Sequence, residues 1–180
     1  MSKTTFKTVD LVYIALGAVL IAICSWLCIP TAVPFTMQTF AVFAVLSIMG
    51  GKRGTMSVIV YLIIGIIGVP VFAEFTSGPG IIFGTTGGYM VGFIFIGLIY
   101  GLAVRHLGKK LCVEIIAFVI GIFVCYAFGT AWFMYFYALE SGAVGLMTAL
   151  GWCVFPFVIP DLVKLALALV LARRVPPLRE

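Results

Sequence analysis

The chain has 180 residues, of which 64% are hydrophobic and only 9% charged, whereas soluble domains carry nearer one quarter charged positions. Its apolar runs extend from residue 11 to residue 172, which points to an integral membrane protein and excludes a secreted soluble protein with a single cleaved signal peptide. The net charge of +5 does not indicate nucleic acid, because the basic residues are scattered between apolar runs and form no stripe interleaved with aromatics.

In chain order the apolar segments run approximately 11–29, 37–49, 55–73, 86–104, 111–139 and 143–172. A crossing needs roughly 20 apolar residues, so the pattern predicts one all-α membrane domain, 1–180, with six transmembrane helices. The second segment reaches spanning length if it extends toward Pro34. The excess in 143–172 leaves room for a short helix or re-entrant turn before the last crossing.

Basic residues mark alternate connections. Lys3 and Lys7 precede the first segment, Lys52 and Arg53 separate the second from the third, Arg105, Lys109 and Lys110 separate the fourth from the fifth, and Arg173, Arg174 and Arg179 follow the last. The intervening connections carry Glu74 and Glu140 and no lysine or arginine. Cytoplasmic loops hold the excess of lysine and arginine, so both termini are expected in the cytoplasm. Lys164 alone breaks the pattern.

Small residues carry the packing signal in so apolar a chain. Ala18 and Ala22, Gly84 and Gly88, Gly88 and Gly92, and Gly97 and Gly101 have the spacing that permits close helix approach. The five cysteines lie in or beside apolar segments, with His106 as the only histidine, and read as packing residues rather than metal ligands. "GGKRGTMS" (50–57) lacks the glycine spacing and the hydroxyl residue after lysine that a Walker A loop requires. No nucleotide site, and no enzyme, is expected.

Polar material collects toward the outer side. "IPTAVPFTMQTF" (29–40) offers Thr31, Thr36, Gln38 and Thr39 between helix-interrupting prolines, and "AEFTSGPGIIFGTTGGYMVGF" (73–93) offers Glu74, Thr76, Ser77, Thr86 and Tyr89. "FPFVIPDLVK" (155–164) adds Asp161 and Lys164. At 1.5 Å rise per residue, Lys164 sits roughly 13 Å and Asp161 roughly 18 Å above Arg173, within a hydrocarbon core about 30 Å thick. Charges there are expensive and usually functional. They either pair locally at i,i+3, or Asp161 caps backbone amides after Pro160, or both face a polar ligand in a small outer cavity. An ion-coupled transporter using Asp161 or Glu114 as a proton carrier, and a membrane assembly protein without a ligand, are the alternatives.

These segments resemble the BioY family, the biotin-specific substrate-binding components of energy-coupling-factor transporters. The likeness rests on "VPFTMQTFAV" (33–42), "GKRGTMSVIVYLIIGIIGVPVFA" (51–73), "GTTGGYMVGF" (84–93) and "FPFVIPDLVK" (155–164), and extends over roughly residues 11–174. Glu74 stands where the resemblance implies glycine after "VFA", and Thr85 where it implies proline before "TGGY". The resemblance implies a prokaryotic cell-membrane receptor that captures external biotin. It also implies partners: a transmembrane coupling protein and two cytoplasmic ATPases that drive delivery, with no cofactor of the chain's own. The first helix becomes a coupling surface, with Ala15, Ala18 and Ala22 as contact candidates. Asp161 would accept from the ureido N–H groups of biotin, and Lys164 would serve either the ureido carbonyl or the carboxylate. If Lys164 takes the carbonyl, backbone amides around 84–89 or the hydroxyls of Thr85, Thr86 and Tyr89 would hold the acid, with Gln38 and Thr36 completing the site.

Overall fold

The computed structural model describes residues 7–30 and 34–175. Lys3, Thr31 and Arg179, named above, lie outside the described residues.

Helix α1 spans Thr8–Trp26. At its start the Asp10 carboxylate accepts the Lys7 backbone N–H at 2.8 Å, tying off an otherwise orphaned donor where the helix dipole favours negative charge. The chain then leaves the helix for a small ribbon that sequence reading did not anticipate. Strand β1 (Cys28–Ile29) pairs antiparallel with β2 (Phe35–Thr36), with Cys28 opposite Thr36 and Ile29 opposite Phe35.

Helix α2 (Gln38–Ile66) is interrupted at Gly50, where φ is 82° and ψ is 165°. That conformation suits glycine, which lacks the Cβ that would clash. The chain folds back there, because Gly54 packs against Leu46 and the Gln38 side-chain amide donates to the Tyr61 hydroxyl at 3.0 Å. The segments 37–49 and 55–73 are thus the two arms of a helical hairpin, although helix in the second arm begins at Gly51 and ends by Ile66.

A single turn at Ala73–Phe75 and the short α3 (Pro79–Ile82) lead into α4 (Gly87–Leu107). Helix α5 (Leu111–Ser141) returns. The stretch 146–174 breaks at Val154 into α6 (Leu146–Cys153) and α7 (Phe155–Arg174), with a proline in the first turn of α7. A proline there needs no N–H partner, which suits a new helix start. The short helix expected before the final crossing is α6.

Among the described residues five helical stretches are long and apolar enough to cross a membrane: Thr8–Trp26, Gln38–Ile66, Gly87–Leu107, Leu111–Ser141 and Leu146–Arg174, the last taking in α6 and α7. The molecule is an all-α, multi-pass membrane protein, with the two-residue strands as its only described sheet. Its core is aromatic at the centre. Phe118 stacks on Tyr100 with ring centroids 4.5 Å apart and meets Phe43 edge-on at 5.2 Å. Close approach comes from small residues, as expected: a side chain on Gly88 would strike Trp132, one on Gly92 would strike Cys125, and Gly51 and Gly101 bring α2 and α4 together backbone to backbone. Large apolar side chains on the outer faces, Leu16, Phe123 and Leu167 among them, are exposed. In a bilayer such faces meet lipid, and van der Waals packing rather than water exclusion joins the helices.

The two ends of the bundle differ chemically. At one end Arg53 pairs with Asp10 at 2.7 Å, Lys109 donates to the Ser47 carbonyl at 2.5 Å, and buried Glu114 accepts from Tyr100 at 2.7 Å and from Arg173 at 3.4 Å. At the other, bonds involve aromatic and hydroxyl groups: Trp26 to the Pro70 carbonyl at 3.0 Å, Ser25 to the Val71 carbonyl at 2.5 Å, and Trp132 to the Gly84 carbonyl at 3.0 Å.

Candidate functional site

A cavity of about 240 Å³ lies toward the second end, between α2, α4, α5 and α7. Of the residues named from sequence as ligand contacts, Thr36, Gln38, Thr86, Tyr89, Asp161 and Lys164 line it, and Thr85 does not. Its walls are apolar, from Phe43, Phe72, Met90, Phe93, Ile96 and Ile122. A few convergent polar groups in an apolar hollow are the usual make-up of a small-molecule site.

The polar corner is built on the first half of α7. Asp161 and Lys164 are 4% and 5% exposed, so their hydrogen-bonding capacity has to be met by protein or ligand. Lys164 Nζ lies 3.0 Å from Asp161 Oδ1 and donates to Thr39 Oγ1 at 3.1 Å, while Thr39 donates in turn to Asp161 Oδ1 at 2.9 Å. Tyr126 donates to Asp161 Oδ2 at 2.7 Å. Lys164 Nζ also sits 4.3 Å from the centroid of Phe35, which itself stacks on Phe157 at 5.8 Å. A cation over an aromatic face gains from the ring quadrupole, more so when desolvated.

The local i,i+3 pair is therefore present, and the cavity also reaches both of its members. Capping of backbone amides after Pro160 is not what Asp161 does, since its described partners are side chains. Opposite charges within one corner leave it formally neutral, and each oxygen of Asp161 is engaged.

The ribbon and the glycine-rich turn fix the remaining groups. Antiparallel pairing of β2 sets Thr36 beside the start of α2, where its hydroxyl accepts the Gln38 backbone N–H at 3.3 Å. The Gln38 side chain is committed through its amide nitrogen to Tyr61. Tyr89 and Thr130 hydroxyls lie 3.0 Å apart across α4 and α5. Thr86 immediately precedes α4, in the stretch that Trp132 anchors through Gly84.

Sequence reading missed Tyr126. A tyrosine inside the apolar run 111–139 carries no mark of its own, and only the placement of α5 across the cavity from α7 gives it a carboxylate partner. It also passed over Phe35, whose role depends on the ribbon. Thr39 was visible as outer polar material but not as the bridge between Asp161 and Lys164.

The coupling-face candidates separate. Ala18 and Ala22 are 3% and 5% exposed and belong to the chain's own core, whereas Ala15 is exposed beside Leu11, Val12, Leu16 and Val19. This corrects the grouping of the three as one surface: the small-xxx-small pair is spent inside the chain, and another protein could reach only Ala15.

The model for the BioY family matches residues 1–180. A biotin transporter BioY2 of Lactococcus lactis subsp. cremoris is 33% identical over 88% of this chain and 85% of its own length. A biotin transporter BioY of Thermotoga maritima is 35% identical over 86% of this chain and 88% of its own, and a probable one of Pyrococcus horikoshii is 37% identical over 79% and 80%. Among solved structures, the S-component for biotin from an ECF-type ABC transporter superposes with a TM-score of 0.81 at 25% identity, covering 94% of each chain.

Proposed function

The chain belongs to the BioY family, and from that membership we propose that it captures biotin at the outer side of the cell membrane as the substrate-specific component of an energy-coupling-factor transporter. It is a transport component and not an enzyme. The observation that carries the ligand assignment is the formally neutral corner that buried Asp161 and Lys164 form with half-buried Thr39 and Tyr126 at one side of an otherwise apolar cavity.

Biotin presents two ureido N–H donors and a carbonyl on an apolar bicyclic ring. Asp161 accepts from the donors, and Lys164 donates to the carbonyl. A ligand carboxylate would suit this corner less, because Lys164 is already paired with Asp161 and a second anion would face that carboxylate. The ring and valeryl chain lie along Phe43, Met90 and Phe93, with Tyr89, Thr86, Gln38 and Thr36 available to the remaining polar atoms.

Each arm of the α2 hairpin is read as a crossing, giving six with α1, α4, α5 and α7. The basic end, with Lys7, Arg53, Lys109 and Arg173, then faces the cytoplasm together with the chain before α1 and after α7. The arms are short, about 18 and 24 Å at 1.5 Å per residue, which a locally thinned bilayer or the flanking loops accommodate. A transmembrane coupling protein and two cytoplasmic ATPases supply the energy for release.

The test is calorimetry of the purified chain in detergent against biotin, thiamin, riboflavin and buffer. Biotin alone should bind. Proteoliposomes with only this chain should show little concentrative uptake, and addition of the coupling protein and ATPases should make uptake depend on ATP. Tight binding of another vitamin, or strong accumulation by the solitary chain on a proton gradient, would overturn the proposal.

A further inference from the structure

The cavity has a buried end and an open end, and they differ in charge. At the buried end Asp161 and Lys164 neutralise one another at 3.0 Å. Toward the open end the lining includes exposed Glu74 and half-buried Pro34, Thr76 and Thr86. Glu74 is exposed, and among the described residues its carboxylate has no hydrogen-bond or ion-pair partner. Among the described residues Lys164 is the only cation lining the cavity, and none near the open end offsets Glu74.

The backbone holds Glu74 in place with some strain. Its φ of 57° and ψ of 28° lie in the left-handed region, which residues with a Cβ seldom occupy and which persists where surrounding structure imposes it. That structure is visible here. The Thr76 backbone N–H and hydroxyl both donate to the Ala73 carbonyl, at 3.2 and 2.8 Å, the Phe72 N–H donates to the Thr76 carbonyl at 3.1 Å, and Phe75 stacks on Trp26 at 5.0 Å.

We infer that Glu74 makes the mouth of the site select against a free carboxylate on the ligand's tail and in favour of a neutral or cationic one. Within the biotin reading, Glu74 then sets the free acid at a disadvantage to amides of the same ureido bicycle, most of all to an amide that keeps a positive charge. The inference rests on the biotin reading. With the ureido ring at Asp161, the tail of free biotin runs toward the rim and sets its carboxylate against the one charged group there. Like charges in a half-solvated mouth repel, and the repulsion weakens as salt shortens the screening length from about 30 Å at 0.01 M to about 10 Å at 0.1 M.

The experiment measures binding of biotin, its primary amide and N-(2-aminoethyl)biotinamide to the parent chain, Glu74→Gln and Glu74→Gly in a neutral detergent at low and high salt. The parent should bind the aminoethyl amide most tightly and the free acid least. In both variants the acid should gain about threefold at low salt, the aminoethyl amide should lose about threefold, and the primary amide should hold steady. Added salt should strengthen binding of the acid to the parent and leave its binding to the variants nearly flat. Glutamine keeps the side-chain size and glycine relieves the left-handed strain, so agreement between the two isolates charge from loop shape. Binding of all three ligands with the same ranking in parent and variants overturns this inference alone. Failure of the parent to bind any of them overturns the biotin reading and this inference with it.

Discussion

The Tyr126 hydroxyl donates to Asp161 Oδ2 across 2.7 Å, joining α5 to α7, which the Arg173–Glu114 pair also links at the basic end. The cavity lies in the gap that this bond spans. Tyr126→Phe removes the donor and leaves a buried carboxylate oxygen without it. Hydrogen bonds to charged groups contribute about 1.5–3 kcal/mol, so the melting temperature of the ligand-free chain in detergent should fall. An unchanged melting temperature would mean that water takes the place of the tyrosine.

Asp161 and Lys164 can be tested as a pair. Asp161→Asn and Lys164→Met should each lower stability, because breaking a buried ion pair strands one charge at about 3–5 kcal/mol. The double variant should recover much of that stability yet bind biotin at least tenfold more weakly than the parent. Thermal unfolding and calorimetry together read the two effects apart. A stable double variant with parental affinity would show that the pair only stitches the helix.

Burial of Ala18 and Ala22 changes what bulky replacements should do. Overpacking a core costs about 1–3 kcal/mol, so Ala18→Leu and Ala22→Leu should destabilise the isolated chain. Ala15→Leu, on the exposed face, should leave the melting temperature within error. If Ala15 touches the coupling protein, Ala15→Trp should reduce co-purification while biotin binding persists.

The proposed orientation, with the basic end in the cytoplasm, is open to a labelling test. In a chain freed of its native cysteines, single cysteines at Glu74 or Ser77 and at Glu140 should react with an impermeant thiol reagent added outside intact cells. Cysteines at Lys52 or Lys109 should react only after the membrane is opened. The reverse pattern would invert the topology.

Much of this architecture was legible because membranes restrict where charge can sit. Lys52 and Arg53 marked the connection at which α2 reverses, and the surplus length of the last segment left room for a short helix or re-entrant turn where α6 precedes α7. Asp161 and Lys164 stood out for the opposite reason, as charges where none should be. The rest depended on tertiary placement. The pairing of Cys28 with Thr36 has no periodic signature over two residues, and Tyr126 looks like any other aromatic in an apolar helix. Small-residue spacing at Ala18 and Ala22 forecast a close approach correctly but carried no information about which helix would approach.

The formally neutral corner that Asp161, Lys164 and Thr39 form among themselves means that the site carries its own competitor for a ligand. Any ureido group entering must displace or share bonds that the side chains already make, and on leaving it lets them close again. Affinity is then the difference between two sets of hydrogen bonds rather than the sum of one. A site arranged in this way empties without exposing an unpaired charge inside the bilayer, and a tightly held ligand can still be given up.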